Sequence, residues 1–529
     1  MSNQFNQRRK WYLGFGLILL CVFYASLMLK DLFLFLSFLI PVLIISIYDY
    51  FQTKHALLRN FPFLGHIRYI MEFIRPELRQ YIVASDSEEK PFNRETRNII
   101  YRRAKSSLET QPFGTQLDPK AVGYTWMTHS ITPVAGEKVR QRLSIGNQQC
   151  REPYFASMLN ISAMSFGSLS PNAIIALNKG AKIGNFAHNT GEGGISDYHL
   201  QGGDLVFQIG TGYFGCRNDK GQFDPIEFRR EATRPEVKMI EIKLSQGAKP
   251  GHGGILPAAK LTPEIARVRK VKMGQDVLSP IAHSAFHNPL GLLEFIQQLR
   301  ELSNGKPIGF KICIGQRSQF LSICKAMLSS GIIPDFITID GGEGGTGAAP
   351  LEFSNYVGEP LDDALVFVHN ALVGVGLRQQ IKLISSGKIV TGFDLIYHLA
   401  LGADCFNSAR AMMLALGCVQ SLQCNLNTCP TGVATQNPRL QRGLVIDEKK
   451  HRVADFHTNT MHSFCELVGA MGLEDPADIR PDLILRRVEN NIVLPLNKIY
   501  DFIPEGILLS KTIPERYQSD WERASVDRF

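Results

Sequence analysis

No C-x-x-C pair occurs among the ten cysteines, no G-x-G-x-x-G opens the first strand–helix unit, and no basic stripe laced with aromatics runs along the chain. The first absence argues against the paired knuckle of a zinc site. The second argues against a nicotinamide-binding doubly wound fold, and the third against nucleic acid as a partner. A net charge of +8 is mild for 529 residues, and its visible cluster is Arg8, Arg9 and Lys10. With 20% charged and 44% hydrophobic residues, the composition suits a globular protein with a large core. Length alone allows several domains or one large barrel with appendages.

Charge is also missing from two stretches near the N-terminus. "WYLGFGLILLCVFYASLML" (11–29) and, after Lys30 and Asp31, "LFLFLSFLIPVLIISIY" (32–48) are both uncharged. The first has the length of one bilayer crossing, and the second lies at the short end of the spanning range. A signal peptide offers one apolar run and then a small-residue cleavage site, so two runs read as a transmembrane helical hairpin. The alternative is a buried apolar helix pair. Arg8, Arg9 and Lys10 before the runs, with Lys54, Arg59 and Arg68 after them, put both ends in the cytoplasm. The expectation is a protein of the inner (cytoplasmic) membrane with its catalytic domain in the cytoplasm. Thiols stay reduced there, so clustered cysteines point to metal or redox chemistry.

Residues 51–149 read as a helical connector packing on the main domain, with "NRETRNIIYRRAKSSLE" (93–109) at helical spacing. From residue 150 the texture changes to short β-rich stretches, Gly-rich turns and helical pattern. Candidate strands are "MLNISAM" (158–164), "IGNFAHN" (183–189), "LVFQIG" (205–210), "MIEIKL" (239–244), "VLSPIA" (277–282), "GFKICI" (309–314), "DFITID" (335–340), "IKLISS" (381–386) and "DCFNSA" (404–409). Nine candidates are one too many for an eightfold barrel, and Pro280 makes "VLSPIA" the weakest. Repeated strand–helix alternation implies parallel strands with right-handed crossovers. The expected fold is an α/β (β/α)₈ TIM barrel over 150–475, its active site at the strand C-terminal ends, with an open doubly wound sheet as the alternative. The tail, 476–529, reads as an irregular wrap, and 1–50 holds the membrane helices.

Conspicuous polar and glycine residues follow these strands. "IDGGEGGTGAAP" (339–350) leaves backbone N–H groups bare after an apolar run, which suits a phosphate or a flat ring. Gly387 after the penultimate strand and "GADCFNSARA" at the last match the phosphate site that barrels build from their final two loops. Together they suggest a phosphorylated cofactor such as FMN. "EIKLSQGAKPGHGG" (241–254) brings Lys243, Gln246 and Lys249, and "NTGEGGIS" (189–196) brings Glu192. Cations, an amide and a carboxylate suit an anionic substrate and acid/base work, although each is also ordinary surface chemistry. Lys311, inside apolar "GFKICI", should face the barrel mouth, where it could support a negative flavin. Cys418, Cys424 and Cys429 lie within twelve residues, beside that pocket. Three thiolates can ligate three irons of a cluster; structural zinc with a distant fourth ligand is the rival.

The sequence resembles the FMN and iron–sulfur domain of glutamate synthases, in its membrane-anchored, stand-alone form. The matching stretches are "SAMSFGSLS" (162–170), "NTGEGG" (189–194), "QIGTGYFG" (208–215), "IEIKLSQGAKPGHGGILP" (240–257), "GGEGGTGAAP" (341–350) and "GCVQSLQCNLNTCPTGVATQ" (417–436). The resemblance implies a barrel carrying FMN and a [3Fe–4S] cluster on Cys418, Cys424 and Cys429. The implied reaction condenses 2-oxoglutarate with ammonia to 2-iminoglutarate, which FMN, refilled through the cluster, reduces to L-glutamate. By position, Glu192, Gln246, Lys249 and Arg269 would hold or polarise the substrate. Ser165, Gln208, Lys243, Lys311, Gly342, Gly344, Gly345, Thr346, Gly347, Gly387, Ser408 and Arg410 would line the cofactor. His252 departs from the family's "AKPGEGG", and Glu343 replaces an Asp. Without a glutamine-hydrolysing domain or a nucleotide domain for NADPH, ammonia is expected from solution or a separate amidotransferase, and electrons from an unidentified donor. Alternatives are a related 2-oxo acid or amine donor, such as methylamine giving N-methylglutamate, and a non-catalytic membrane electron-transfer subunit.

Overall fold

The computed structural model describes residues 32–529 together with Cys21, Phe23 and Tyr24. It divides into two compact units, Met1–Glu95 and Thr96–Phe529. In the first, a helix at Leu32–Phe51 is followed by helices at Ala56–Asn60 and Gly65–Leu78. Asp49, fully buried, accepts from the Phe63 N–H at 2.9 Å and lies 2.9 Å from His66 Nε2. Of the two expected membrane spans, 11–29 lies outside the described residues apart from Cys21, Phe23 and Tyr24. The second, 32–48, is helical. Among the described residues no helix is long and apolar enough to cross a membrane.

The second unit is built on eight parallel strands in a closed barrel. In chain order they are β1 (Leu159–Ile161), β2 (His188–Asn189), β3 (Leu205–Ile209), β4 (Val237–Lys243), β5 (Ile308–Ile312), β6 (Phe336–Asp340), β7 (Lys382–Ser386) and β8 (Cys405–Ser408). Closure is made by β8 on β1, with Asn407 opposite Asn160 and Ser408 opposite Ile161. Period-2 alternation sorts the side chains. Phe207, Phe310 and Phe406 are fully buried on the outer face, each worth about 1.5–3 kcal/mol of apolar burial. Their neighbours Gln208, Glu241, Lys311 and Thr338 point inward.

Its longer helices include α1 (Pro171–Gly184), α2 (Pro225–Ala232), α3 (Pro263–Arg269), α4 (Pro289–Leu302), α5 (Arg317–Ser330), α6 (Leu361–Gly374), α7 (Gly392–Ala400), α8 (Arg410–Ala415) and α9 (Ile446–Ala470). Four of them start in one way. Ser170, Asp224, Thr262 and Asn288 each accept a first-turn N–H, and proline follows as the first helical residue. α9 packs on α1 and α7 and so completes the ring between the last and first strands. The cysteines therefore sit in the long connection between β8 and α9.

Several expected elements change. "IGNFAHN" contributes only His188–Asn189, because 183–184 finish α1 and Asn185 caps it at φ +52°. "VLSPIA" yields Val277–Leu278, paired antiparallel to Ile255–Leu256 outside the barrel. No α-helix joins β2 to β3; that connection holds 3₁₀ turns at Gly191–Gly193 and Asp197–His199. The segment before the barrel is only partly helical. It holds an antiparallel pair, Arg142–Ile145 with Tyr154–Ser157, and a strand, Thr125–Met127, that joins Ile484–Glu489 and Ile492–Pro495 in a three-stranded sheet. The C-terminal segment is thus regular where it pairs, and its helix Glu515–Arg523 buries Tyr517 against the core.

Candidate active site

Four charged groups from four segments meet at the C-terminal mouth of the barrel. Lys243 ends β4, and its Nζ lies 3.0 Å from Oε1 of Glu192, in the 3₁₀ turn after β2. Lys249, 4% exposed, donates to the Ala348 carbonyl at 2.7 Å. Arg269 ends α3, where Lys270 turns the chain away at φ +52°. It is 5% exposed, donates to the Phe166 carbonyl (3.0 Å) and Ser165 Oγ (3.3 Å), and lies over the Phe214 ring, while its Nε has no partner. Glycines admit Glu192: a methyl on Gly254 would stand 2.4 Å from its Oε1, and one on Gly210 2.7 Å from its Oε2.

Burial and mutual charge set the protonation of this cluster. Burial raises the Glu192 carboxyl, but Lys243, Arg269 and Lys249 together outweigh it and hold the group below the ordinary carboxylate value. Burial, reinforced by Lys243, pushes Lys249 down to about 8. Burial also lowers Arg269 to about 10, against the pull of Glu192. Three cations therefore face one carboxylate, an excess that favours an anion.

One layer deeper the arrangement is closed. Glu241, 1% exposed, accepts from Asn189 Nδ2 (2.8 Å), Gln208 Nε2 (2.6 Å) and Thr338 Oγ1 (2.6 Å). Gln208 is thus committed to Glu241. Asp340, at the end of β6, accepts from the Gly247 N–H (2.8 Å) and Ser386 Oγ (2.9 Å). Lys311 reaches to 3.9 Å from Asp340 Oδ2. Sequence reasoning missed Glu241 and Asp340, although a carboxylate inside apolar "MIEIKL" carries the same signal that picked out Lys311.

The glycine loop after β6 crosses this mouth. Gly342 and Gly344 spend their N–H groups on Glu359 and Gly341 carbonyls. Gly345, Thr346 and Gly347 are exposed. Gln246 Nε2 lies 3.4 Å from the Gly345 carbonyl, so Gln246 and Lys249 both tie their loop to this one. Arg410, at the start of α8, donates to the Glu343 carbonyl at 2.8 Å, and a methyl on Gly345 would stand 2.6 Å from its Nε. Gly387 abuts Leu361, and Ser408 Oγ donates to the Ile389 carbonyl at 2.7 Å. Bare N–H groups, room that only glycine leaves and a half-buried guanidinium fit a flavin phosphate and ring.

The cysteine loop is held differently. Gln420, Leu422 and Asn427 all have positive φ, between 56° and 63°. Among the described residues no three His, Cys, Asp or Glu side chains close on a point that could hold a metal ion, while Cys418, Cys424 and Cys429 lie within electrostatic reach of one another. Of the three, only Cys429 sits where thiolate is favoured. Burial raises the Cys429 thiol, but the N–H groups of Ala434, Thr431 and Val433 and the Thr431 hydroxyl bring it below the usual value. Cys424 is raised, mainly by burial and Cys429, with Lys260 opposing; burial pushes Cys418 up to about 12. Lys260, 3% exposed, donates to the carbonyls of Ser168, Cys424 (3.3 Å) and Ala434 (3.3 Å). Gln436 Nε2 adds bonds to the Gly167 and Leu169 carbonyls. Both side chains sew the loop to the segment after β1. A buried lysine beside thiols, and N–H groups around one of them, fit an anionic metal–sulfur group. Lys260, in "LPAAKLTPE", was missed; its signal was a lone cation in an otherwise apolar run.

Known proteins bear on these residues. The conserved region in glutamate synthase matches residues 120–474. A glutamate synthase large subunit-like protein, YerD, of Bacillus subtilis is 36% identical over 88% of this chain and 97% of its own. An archaeal-type glutamate synthase (NADPH) of Thermotoga neapolitana is 34% identical over 60% of each chain. Among solved structures, mandelate oxidase with (S)-mandelic acid is 14% identical over 73% of this chain and 96% of that one, with a TM-score of 0.42, too low to argue from. The match to the conserved region spans the mouth cluster, the glycine loop and the cysteine loop alike, and the chain belongs to the glutamate synthase conserved-region family.

Proposed function

We propose that the protein is an oxidoreductase of the glutamate synthase type, converting 2-oxoglutarate and ammonia to L-glutamate. The observation that carries this reading is the charge balance of the mouth: Lys243, Lys249 and Arg269 against Glu192 alone. A dianionic 2-oxo acid supplies the two missing negative charges. Arg269, with its unpartnered Nε, and Lys249 would hold the two carboxylates. Glu192, paired with Lys243, would hold and pass the proton exchanged at nitrogen, and Gln246 would fix the substrate against the glycine loop.

The Gly345–Gly347 stretch, Gly387, Ser408–Arg410 and Ser165 would hold FMN, with Gly342 and Gly344 shaping the loop and Lys311 facing the ring; Gln208 would act through Glu241. When bound, FMN supplies the electron pair that reduces a carbon–nitrogen double bond, and a [3Fe–4S] cluster on Cys418, Cys424 and Cys429 feeds it electrons. Lys260 and the N–H groups around Cys429 would offset the negative charge of that loop. An electron donor and an ammonia source, free or through a separate amidotransferase, complete the reaction. We also propose attachment to the cytoplasmic membrane through 11–29 and 32–48, supported by their lack of charge and by exposed Phe38, Ile44 and Ile47 on the helix Leu32–Phe51.

The test is anaerobic. Protein reduced with a dye is mixed with 2-oxoglutarate, with and without ammonia, and the flavin absorbance is followed while glutamate is assayed. Reoxidation that needs both substrates, with glutamate formed, is expected. Reoxidation by neither, or a protein without flavin, refutes the reading.

A further inference from the structure

Three loops meet behind Lys243, and their contact is made by two residues that have no role in the reading above. Tyr213, in the turn after β3, is fully buried and has φ +48°. A left-handed backbone is rare for an aromatic residue and persists only where the surroundings over-determine it. The Tyr213 hydroxyl supplies that constraint. It accepts from the N–H groups of Ser284 (3.1 Å) and Ala285 (3.0 Å), so its own proton goes to Nδ1 of His283, 3.1 Å away. His283 then carries its proton on Nε2, which donates to the Lys243 carbonyl at 2.9 Å. Burial pushes the imidazole down to about 4, so the ring is neutral. It stacks on Phe286, with centroids 5.0 Å apart, and meets Tyr213 edge-on at 5.4 Å. Thr211 Oγ1, donating to the Pro280 carbonyl at 2.6 Å, ties the same two loops again.

The chain of bonds ends at the charged pair. Fixing the Lys243 carbonyl fixes the peptide plane from which that side chain departs, and its Nζ lies 3.0 Å from Glu192. Glu192 is confined on its other sides by Gly210 and Gly254. We propose that Tyr213 and His283 are positioning residues: they lock one imidazole tautomer against the Lys243 carbonyl and so set the Lys243–Glu192 contact. The inference rests on reading Glu192 as the group that takes up and passes the proton in this site.

Two variants test it in the full-length holoprotein. Tyr213→Phe removes one buried oxygen; His283→Phe keeps the stack on Phe286 and removes both hydrogen bonds. Protonation of Glu192 is followed by pH-difference infrared spectroscopy, its band assigned by its absence in Glu192→Gln. The charged groups facing Glu192 are Lys243 on β4, Lys249 in the loop beyond it and Arg269 on α3, with His283, neutral, also within electrostatic reach; the variants disturb Lys243 and leave the other two cations in place. The Glu192 titration is expected to move upward, by about tenfold in proton affinity. The acid limb of the kcat/KM profile should move with it, and kcat should fall more than KM changes. His283→Gln, whose amide can still donate to Lys243, should recover part of the shift. If His283→Phe fails to fold, Tyr213→Phe decides. An unmoved Glu192 titration overturns the proposal. The infrared signal needs no turnover, so a wild type inactive in amination refutes the functional reading and leaves this test intact.

Discussion

The barrel mouth and the cysteine loop adjoin one another and are built on opposite terms. In the mouth, Glu192, Lys243, Lys249 and Arg269 come from strand and helix ends or the turns beside them, each already engaged by a neighbour. In the loop, three thiols ride on a backbone with three left-handed non-glycine residues, and the described side chains form no metal-holding set. The mouth is organised by its own electrostatics, whereas the loop depends on stitches from outside, Lys260 and Gln436. The contrast teaches that a charge cluster can be held by its own ion pairs and hydrogen bonds, whereas an irregular loop is held by side chains reaching in from elsewhere.

The largest expected effect would break the loop and spare the mouth. Cys429→Ser removes the thiol best stabilised by backbone N–H groups, and iron and acid-labile sulfide should fall to background while bound flavin stays. Loss of flavin as well would mean that the two regions are not separable. Next, Glu192→Gln should lower kcat by about 10²–10⁴, as loss of a positioned proton carrier does, with iron content unchanged. A smaller effect sharpens the electrostatic side. Lys249 is charged below about 8 and neutral above it, so affinity for the 2-oxo acid should fall as pH rises through that value. Lys249→Arg, charged throughout, should show a flat KM over the same range. The smallest is Thr346→Ala. Its exposed hydroxyl makes only local bonds to Ala348, donating to the carbonyl and accepting from the N–H, so thermal unfolding should register a change within about 0.5 kcal/mol.

Part of the mouth was legible because Glu192 and Lys243 lie at or just past strand ends, whereas Arg269, at the end of α3, came only from the family resemblance. The eight strands, the glycine loop and the exclusion of "VLSPIA" could be read in the same way. What could not be read depends on partners far away in sequence. The bond from Gln208 Nε2 to Glu241, on the next strand, is one such partnership. Lys260 gains its meaning only from carbonyls at Ser168, Cys424 and Ala434. Tyr213 lies inside a recognised stretch, "QIGTGYFG", yet nothing local reveals its positive φ or its reach to His283. The strand–helix boundary at Asn185 was lost because "IGNFAHN" mixes the last turn of α1 with the first residues of β2.

Two buried cations, Lys249 and Arg269, and the half-buried Lys243 against one carboxylate make a clear demand on the ligand. The direct measurement titrates the oxidised holoprotein with 2-oxoglutarate and with a one-carboxylate 2-oxo acid such as pyruvate, following the perturbation of the flavin spectrum. Tighter binding of the dianion by at least about tenfold, abolished in Arg269→Met, is the predicted result. Equal affinity for the two acids, or a preference that survives Arg269→Met, would contradict it.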